Sequence, residues 1–339
     1  MPPSWGMTQD VRAIMRAYHH LFSCLLLGAV STADAGFDKK SVSAWIEQMG
    51  HAVHALAYEG SFVYLHDTQL ESMKITHAVD NGQEQERLIS LNGAAREVIR
   101  NSDSVVCVLP DAMAVSVAKR QTGHVFPTVL PAGVDALSDY YEFRLIGDAR
   151  VANRKAKVIG IIPKDSYRYG YRLFLDEEHA LPLQTDTLDE SGQLVSQIMF
   201  TSLRVDPAIR SISPAVPNEH TDYMQVRQKQ AKEIPITAPA NWKFNQLPAG
   251  FRLKVRAQKP GHSSTTTLEH FVFSDGLATL SVYIEKVGAE GGLHKESKMG
   301  AVNVFGTQIS GHQVTVVGEV PAQTVRDVAG SITYSARPE

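Results

Sequence analysis

Two histidines three residues apart, His51 and His54 in HAVH, would share one face of a helix and offer two ring nitrogens to a metal ion. Zinc needs three or four ligands in a tight shell, and neither an HExxH motif nor closely spaced cysteines supplies the rest. The pair is expected as polar helix residues, with no metal or cofactor. Glu177 and Glu178 would suit general acid–base work only if desolvated, and between two alternating segments they are expected in a solvated turn. There is no GxSxG elbow or Walker-type loop. The glycines of VGAEGGL lack the preceding core strand and following helix that a phosphate cradle requires. Cys107, in VVCVLP, reads as a buried strand residue, with a redox or intermolecular thiol as the alternative. The sequence therefore offers no catalytic residue, and the expectation is a binding protein rather than an enzyme.

Strands are what would position any site. In RYGYRLFLDEEHALPLQTDTLDESGQLVSQIMF, Tyr169, Tyr171, Leu173 and Leu175 alternate with Arg168, Gly170, Arg172 and Asp176. The alternation resumes at Leu183, Thr185 and Thr187, and again at Leu194, Ser196, Ile198 and Phe200, which predicts an antiparallel meander. EGSFVYLHD, ESMKITHAVD, QERLISLNG and AREVIRNSD precede it, with Asn81-Gly82 and Asn92-Gly93 as tight-turn signals; YYEFRLIGDARV and KAKVIGIIPK lie between. Together they predict about nine strands from Gly60 to Val205. Val42, Trp45, Ile46, Met49, Val53 and Leu56 place an apolar stripe on a helix over 40–57, and that stripe needs a sheet to cover. Residues 110–140, with Pro110, Pro127, Pro131 and Gly133, predict a loop or short helices over that sheet.

Prolines 207, 214, 217, 235 and 239 mark 206–240 as a linker or surface excursion. A second unit over 241–339 has strands in LPAGFRLKVRAQ, LEHFVFSDGLATLSVYIEK and VFGTQISGHQVTVVGEVP. A helix follows in PAQTVRDVAGSI. The expected fold class is α+β: a large curved antiparallel half-barrel covered by helices over 36–205, then a smaller sheet with a terminal helix. Trp45, Phe62, Tyr64, Phe143, Tyr169 and Tyr171 all fall on elements around the curved sheet. They form either an ordinary core or part of an apolar cavity for an acyl chain.

Arg12 and Arg16 precede an apolar run from Leu21 to Val30 and the small-x-small site Ala33-Asp34-Ala35. This is the pattern of a secretory signal peptide over 1–35, cleaved near Ala35, and it predicts export. Cys24 lies inside that leader, so Cys107 would be left without an internal disulfide partner. The formal net charge of −3 lacks the basic footprint of a general nucleic-acid binder, and no nucleic-acid partner is expected.

YEGSFVY, ERLISLNGAAREVIR, RYGYRLFLDEEHALPL and GQLVSQIMF in the first unit, with LPAGF, SDGLATLSVYIE and VTVVGEVP in the second, resemble in order and spacing the MucB/RseB family of periplasmic regulators of the envelope-stress sigma factor. The resemblance implies a first domain similar to the lipoprotein carriers LolA and LolB. It also implies a partner, the periplasmic region of an RseA/MucA-like membrane-anchored anti-sigma factor, shielded from site-one proteolysis. Lipopolysaccharide or acylated ligands would release it. A homo-oligomer is compatible with this reading. Phe271, Phe273, Val282, Ile284, Val314 and Val316 are either the apolar positions of the anti-sigma peptide surface or the second domain's own core. The competing reading is a periplasmic lipid or lipoprotein carrier of the LolA/LolB type, which has no evident need for the second domain.

Overall fold

Alternation at period two builds most of the chain, as a computed structural model describing residues 39–119, 133–209, 223–227, 234–235, 241–261, 267–286 and 295–335 shows. Residues 1–35, expected from the sequence to be a leader, and much of the proline-rich connection lie outside the described residues. Residues Phe37–Glu339 form one compact unit.

Helix α1 (Lys39–Ala55) comes first, and its stripe of Val42, Ile46, Met49 and Val53 is buried. A run of strands follows: β1 (Tyr58–His66), β2 (Gln69–Asp80), β3 (Gln83–Ser90), β4 (Glu97–Arg100), β5 (Ser104–Leu109) and β6 (Ala114–Lys119). After the short helix α2 (Val134–Leu137) come β7 (Tyr141–Val151), β8 (Arg154–Pro163), β9 (Gly170–Asp176), β10 (Pro182–Leu188) and β11 (Leu194–Val205). The two meanders join edge to edge where β1 pairs antiparallel with β11, with a register shift between Ser61 and Phe62. Among the described residues eleven strands stand where about nine are expected by pattern, because VVCVLP and the segment after Pro110 form the separate strands β5 and β6.

Two turn signals diverge. Asn81 and Gly82 both take left-handed φ angles, +50° and +77°, and close a tight hairpin. Asn92-Gly93 instead lies in a longer connection from Ser90 to Glu97. There the Asn92 side chain accepts from Ser72 N at 2.6 Å and donates to Leu70 O at 2.8 Å, pinning the loop to β2. Cys107 also departs from expectation: β5 turns Val106 and Val108 into a core and leaves the free Cys107 half-buried on the opposite face.

The connection between the sheets is partly strand. β12 (Met224–Arg227) adds parallel to β6 at one edge of the large sheet, and β13 (Ile234–Pro235) pairs with the small sheet. The small sheet holds β15 (Arg252–Pro260), β16 (Thr267–Ser274), β17 (Thr279–Lys286), β18 (Lys295–Met299), β19 (Val302–Ile309) and β20 (His312–Gly318), in the order β13-β15-β16-β17-β20-β19-β18. Helix α3 (Ala322–Gly330) packs on it, and β14 (Trp242–Phe244) pairs with β21 (Ile332–Tyr334) beside it.

Phe271, Phe273, Val282, Ile284, Val314 and Val316 are 0–3% exposed and pack with Trp242, Val325, Val328 and Ala329. The expectation that they form a peptide surface is therefore corrected. α3 and Trp242 cover that face, so the six are the core, each contributing about 1.5–3 kcal/mol by burial.

Candidate functional site

The two sheets meet along a seam built by residues far apart in sequence. Arg168, in the loop before β9, is fully buried. Its Nη1 donates to Asp275 Oδ2 at 2.7 Å, Nε to Asp165 Oδ1 at 3.0 Å and Nη2 to the Ala249 carbonyl at 2.7 Å. Its guanidinium stands 5.2–5.4 Å from the ring centroids of Tyr140, Tyr141 and Phe251. Asp275 is equally well satisfied: Oδ2 also accepts from Tyr141 Oη at 2.9 Å, and Oδ1 accepts from Leu277 N and Ala278 N at 2.8 and 2.7 Å. Burial, reinforced by the Asp275 charge, pushes the Tyr141 phenol far above its ordinary range. A buried pair this complete is held by geometry on every side.

Three more links run parallel to it. Asn303 Nδ2 donates to Tyr169 Oη at 2.9 Å and to the Val320 carbonyl at 2.8 Å. Thr324 Oγ1 donates to the Tyr167 carbonyl at 2.9 Å, and Gly300 N donates to Asp67 Oδ2 at 2.7 Å. Ala301 and Leu277, from turns of the small sheet, pack into the large-sheet core. Gly250 has φ +86°, and a Cβ there would stand 2.5 Å from the Tyr140 ring, so the LPAGF turn fits the seam only with glycine.

Glu319, just after β20, keeps solvent access, yet protein around it pushes its carboxyl above the usual carboxylate range. Tyr64, Tyr169 and Tyr171 have phenols raised by burial and then by the Glu319 charge; the Asn303 hydrogen bond pulls Tyr169 the other way.

A different cluster bears on metal binding. Asp176, Glu178 and His179 converge, but Arg154 fills the place of a cation: its Nε and Nη2 donate to Asp176 at 3.0 and 2.8 Å, and Nη2 reaches Glu178 Oε2 at 2.9 Å. Burial alone would raise the Asp176 carboxyl, and the hydrogen bonds from Arg154 and His179 outweigh it and hold it low. The group is a guanidinium-locked turn. His54, of the HAVH pair, meets Glu84 at 2.9 Å, while His51 is exposed.

Residues 41–226 match the model of the MucB/RseB N-terminal domain, and residues 237–333 match that of the MucB/RseB C-terminal domain. The chain belongs to the MucB/RseB family. Among similar proteins, the "Sigma factor AlgU regulatory protein MucB" of Pseudomonas aeruginosa is 32% identical over 329 residues, covering 93% of this chain and 96% of the relative. The "Sigma-E factor regulatory protein RseB" of Haemophilus influenzae is 28% identical over 313 residues, covering 92% and 98%. The crystal structure of MucB in complex with MucA(peri) resembles this fold with a TM-score of 0.65 at 30% identity, covering 87% of this chain and all of that one.

Four of the segments that carry the family resemblance meet at the seam. RYGYRLFLDEEHALPL brings Arg168 and Tyr169, SDGLATLSVYIE brings Asp275, LPAGF brings Ala249, Gly250 and Phe251, and VTVVGEVP brings Glu319 and Val320. Of the six aromatics expected around the curved sheet, Trp45, Phe143, Tyr169 and Tyr171 share one core cluster with α1, α2 and Ala301. Phe62 lies in a second cluster, 5.7 Å from the Phe200 ring. Tyr64 is half-buried against His66, with ring centroids 4.7 Å apart. Tyr64, Tyr169 and Tyr171 are the ones the Glu319 charge reaches.

Proposed function

We propose that this chain is a periplasmic regulator of an envelope-stress sigma factor. It binds the periplasmic region of a membrane-anchored anti-sigma factor and shields it from the site-one protease. The observation that carries this reading is the match of both halves of the chain, in order, to the two MucB/RseB domains; the likeness to MucB in complex with MucA(peri) adds to it. The physical basis is a binding surface that orders a flexible segment and hides its cleavage site. Because Arg168, Tyr169 and Asp275 tie the small sheet to the large one, a ligand that alters the large sheet has a rigid path to the other side. Lipopolysaccharide or another acylated molecule, acting on the large sheet with Trp45, Phe62, Tyr64, Phe143, Tyr169 and Tyr171 in its walls, is the proposed releasing signal.

The test is cleavage of the purified anti-sigma periplasmic region by its site-one protease. Stoichiometric amounts of this protein are expected to slow cleavage at least about tenfold, which corresponds to roughly 1.4 kcal/mol of protection. Lipid A is expected to restore the rate. Cleavage at an unchanged rate with the protein present would refute the reading.

A further inference from the structure

A strand at the end of a sheet leaves a row of backbone N–H and C=O groups unpaired, and proteins blunt such edges with bulges, very short strands, proline or charge. The large sheet ends on one side in β12, only four residues long, and on the other in β7, whose ladder to β8 slips between Leu145 and Gly147. One end of the small sheet is β13, two residues of which one is Pro235. The other end is β18, which has neither bulge nor proline. Lys295–Met299 pair with β19 in unbroken register, all five residues are exposed, and among the described residues no strand lies on their outer edge.

The side chains of β18 alternate between two faces. On one, Glu296 is held by Arg326 Nη1 at 3.0 Å, and Lys298 Nζ stands 3.8 Å from Asp67 Oδ1. On the other, Lys295 makes no ion pair with any described residue, and Met299 is 70% exposed. The unpaired charge along this edge is therefore positive, which disfavours a basic strand and favours an acidic one. The backbone sets the shape of what binds, because only an extended segment can complete the open hydrogen bonds of an edge strand. We propose that an extended acidic segment of the bound anti-sigma factor adds to β18 as a further strand of the small sheet, with a carboxylate opposite Lys295 and an apolar side chain against Met299. This rests on the partner proposed above and gives the shielding a physical form: a segment whose backbone is bonded to β18 cannot offer the same groups to a protease.

The experiment is amide hydrogen exchange of the protein, alone and with an excess of the anti-sigma periplasmic region. Amides within Lys295–Met299 are expected to exchange at least about tenfold more slowly in the complex, and one run of the region should gain protection to match. Lys295→Glu, a change at an exposed position, is expected to weaken binding about threefold to tenfold. Replacing one acidic residue of the protected run by lysine should recover that loss. If the wild type binds but neither the β18 amides nor the affinity of Lys295→Glu changes, the edge assignment is overturned while the partner stands; if the wild type does not bind, both fall. Slowed exchange at β18 that needs no anti-sigma region and grows with protein concentration would place a second copy on the edge and would also overturn the assignment.

Discussion

Replacing Arg168 by methionine is expected to lower the stability of the folded protein by about 3–5 kcal/mol, because the Asp275 carboxylate stays buried without its counter-ion. Asp275→Ala should cost as much. It strands the Arg168 guanidinium and also removes the acceptor for Leu277 N and Ala278 N in the turn between β16 and β17. The double variant Arg168→Met/Asp275→Leu should lose less than the sum of the two single changes, since no buried charge is left alone. Guanidinium unfolding followed by tryptophan fluorescence measures this. Trp45 packs against the large-sheet core and Trp242 is in the small-sheet core, so Trp→Phe partners make each sheet separately visible. The two reporters' midpoints are expected to coincide in the wild type and to be pulled apart in the single variants. A loss below about 1 kcal/mol, the range of an exposed pair, would show that the seam is not what joins the sheets. Deleting 241–339 would strip Arg168 of its Asp275 and Ala249 partners at once, so point variants are the cleaner probe of the seam.

Gly60→Ala is the second large effect. Gly60 lies opposite Leu203 where β1 and β11 join the two meanders, beside the register shift at Ser61. A Cβ there would stand 2.3 Å from the Ser202 carbonyl oxygen and 3.0 Å from the Phe200 ring. The carbonyl belongs to backbone and cannot rotate aside, so the strands must separate. A loss of about 3 kcal/mol is expected, at the upper end of overpacking, with a matching fall in soluble yield. Gly50→Ala is the control: nothing lies within 4 Å of its Cβ in α1, and alanine should stabilise the helix by about 0.5–1 kcal/mol. Urea midpoints of the two variants decide this. A Gly60→Ala protein as stable as the wild type would mean that the joint has slack.

The meanders and α1 were legible in the sequence because their signal is local. Tyr169, Tyr171, Leu173 and Leu175 alternate with their neighbours whatever else the chain does, and all four are buried. The seam was not legible in this way. Arg168 reads as the polar partner of Tyr169 in a half-buried strand, and only Asp275, 107 residues away, makes its burial tolerable. Phe271, Phe273, Val282, Ile284, Val314 and Val316 alternate equally well for a covered or an open face, and α3, the element that settles the matter, comes later in the chain. β12 and β13 escaped notice because each forms only on the edge of another sheet, β13 with a proline of its own. The resemblance to the MucB/RseB family rested on short segments, and the seam supplies a physical reason for several of them: they touch one another.

The most direct measurement is isothermal titration of the chain from Gly36 onward with the periplasmic region of the anti-sigma factor encoded by the same genome. The account predicts saturable one-to-one binding with a Kd of about 1 μM or tighter. Absence of heat, with no complex on a sizing column, would contradict it and favour a periplasmic lipid or lipoprotein carrier.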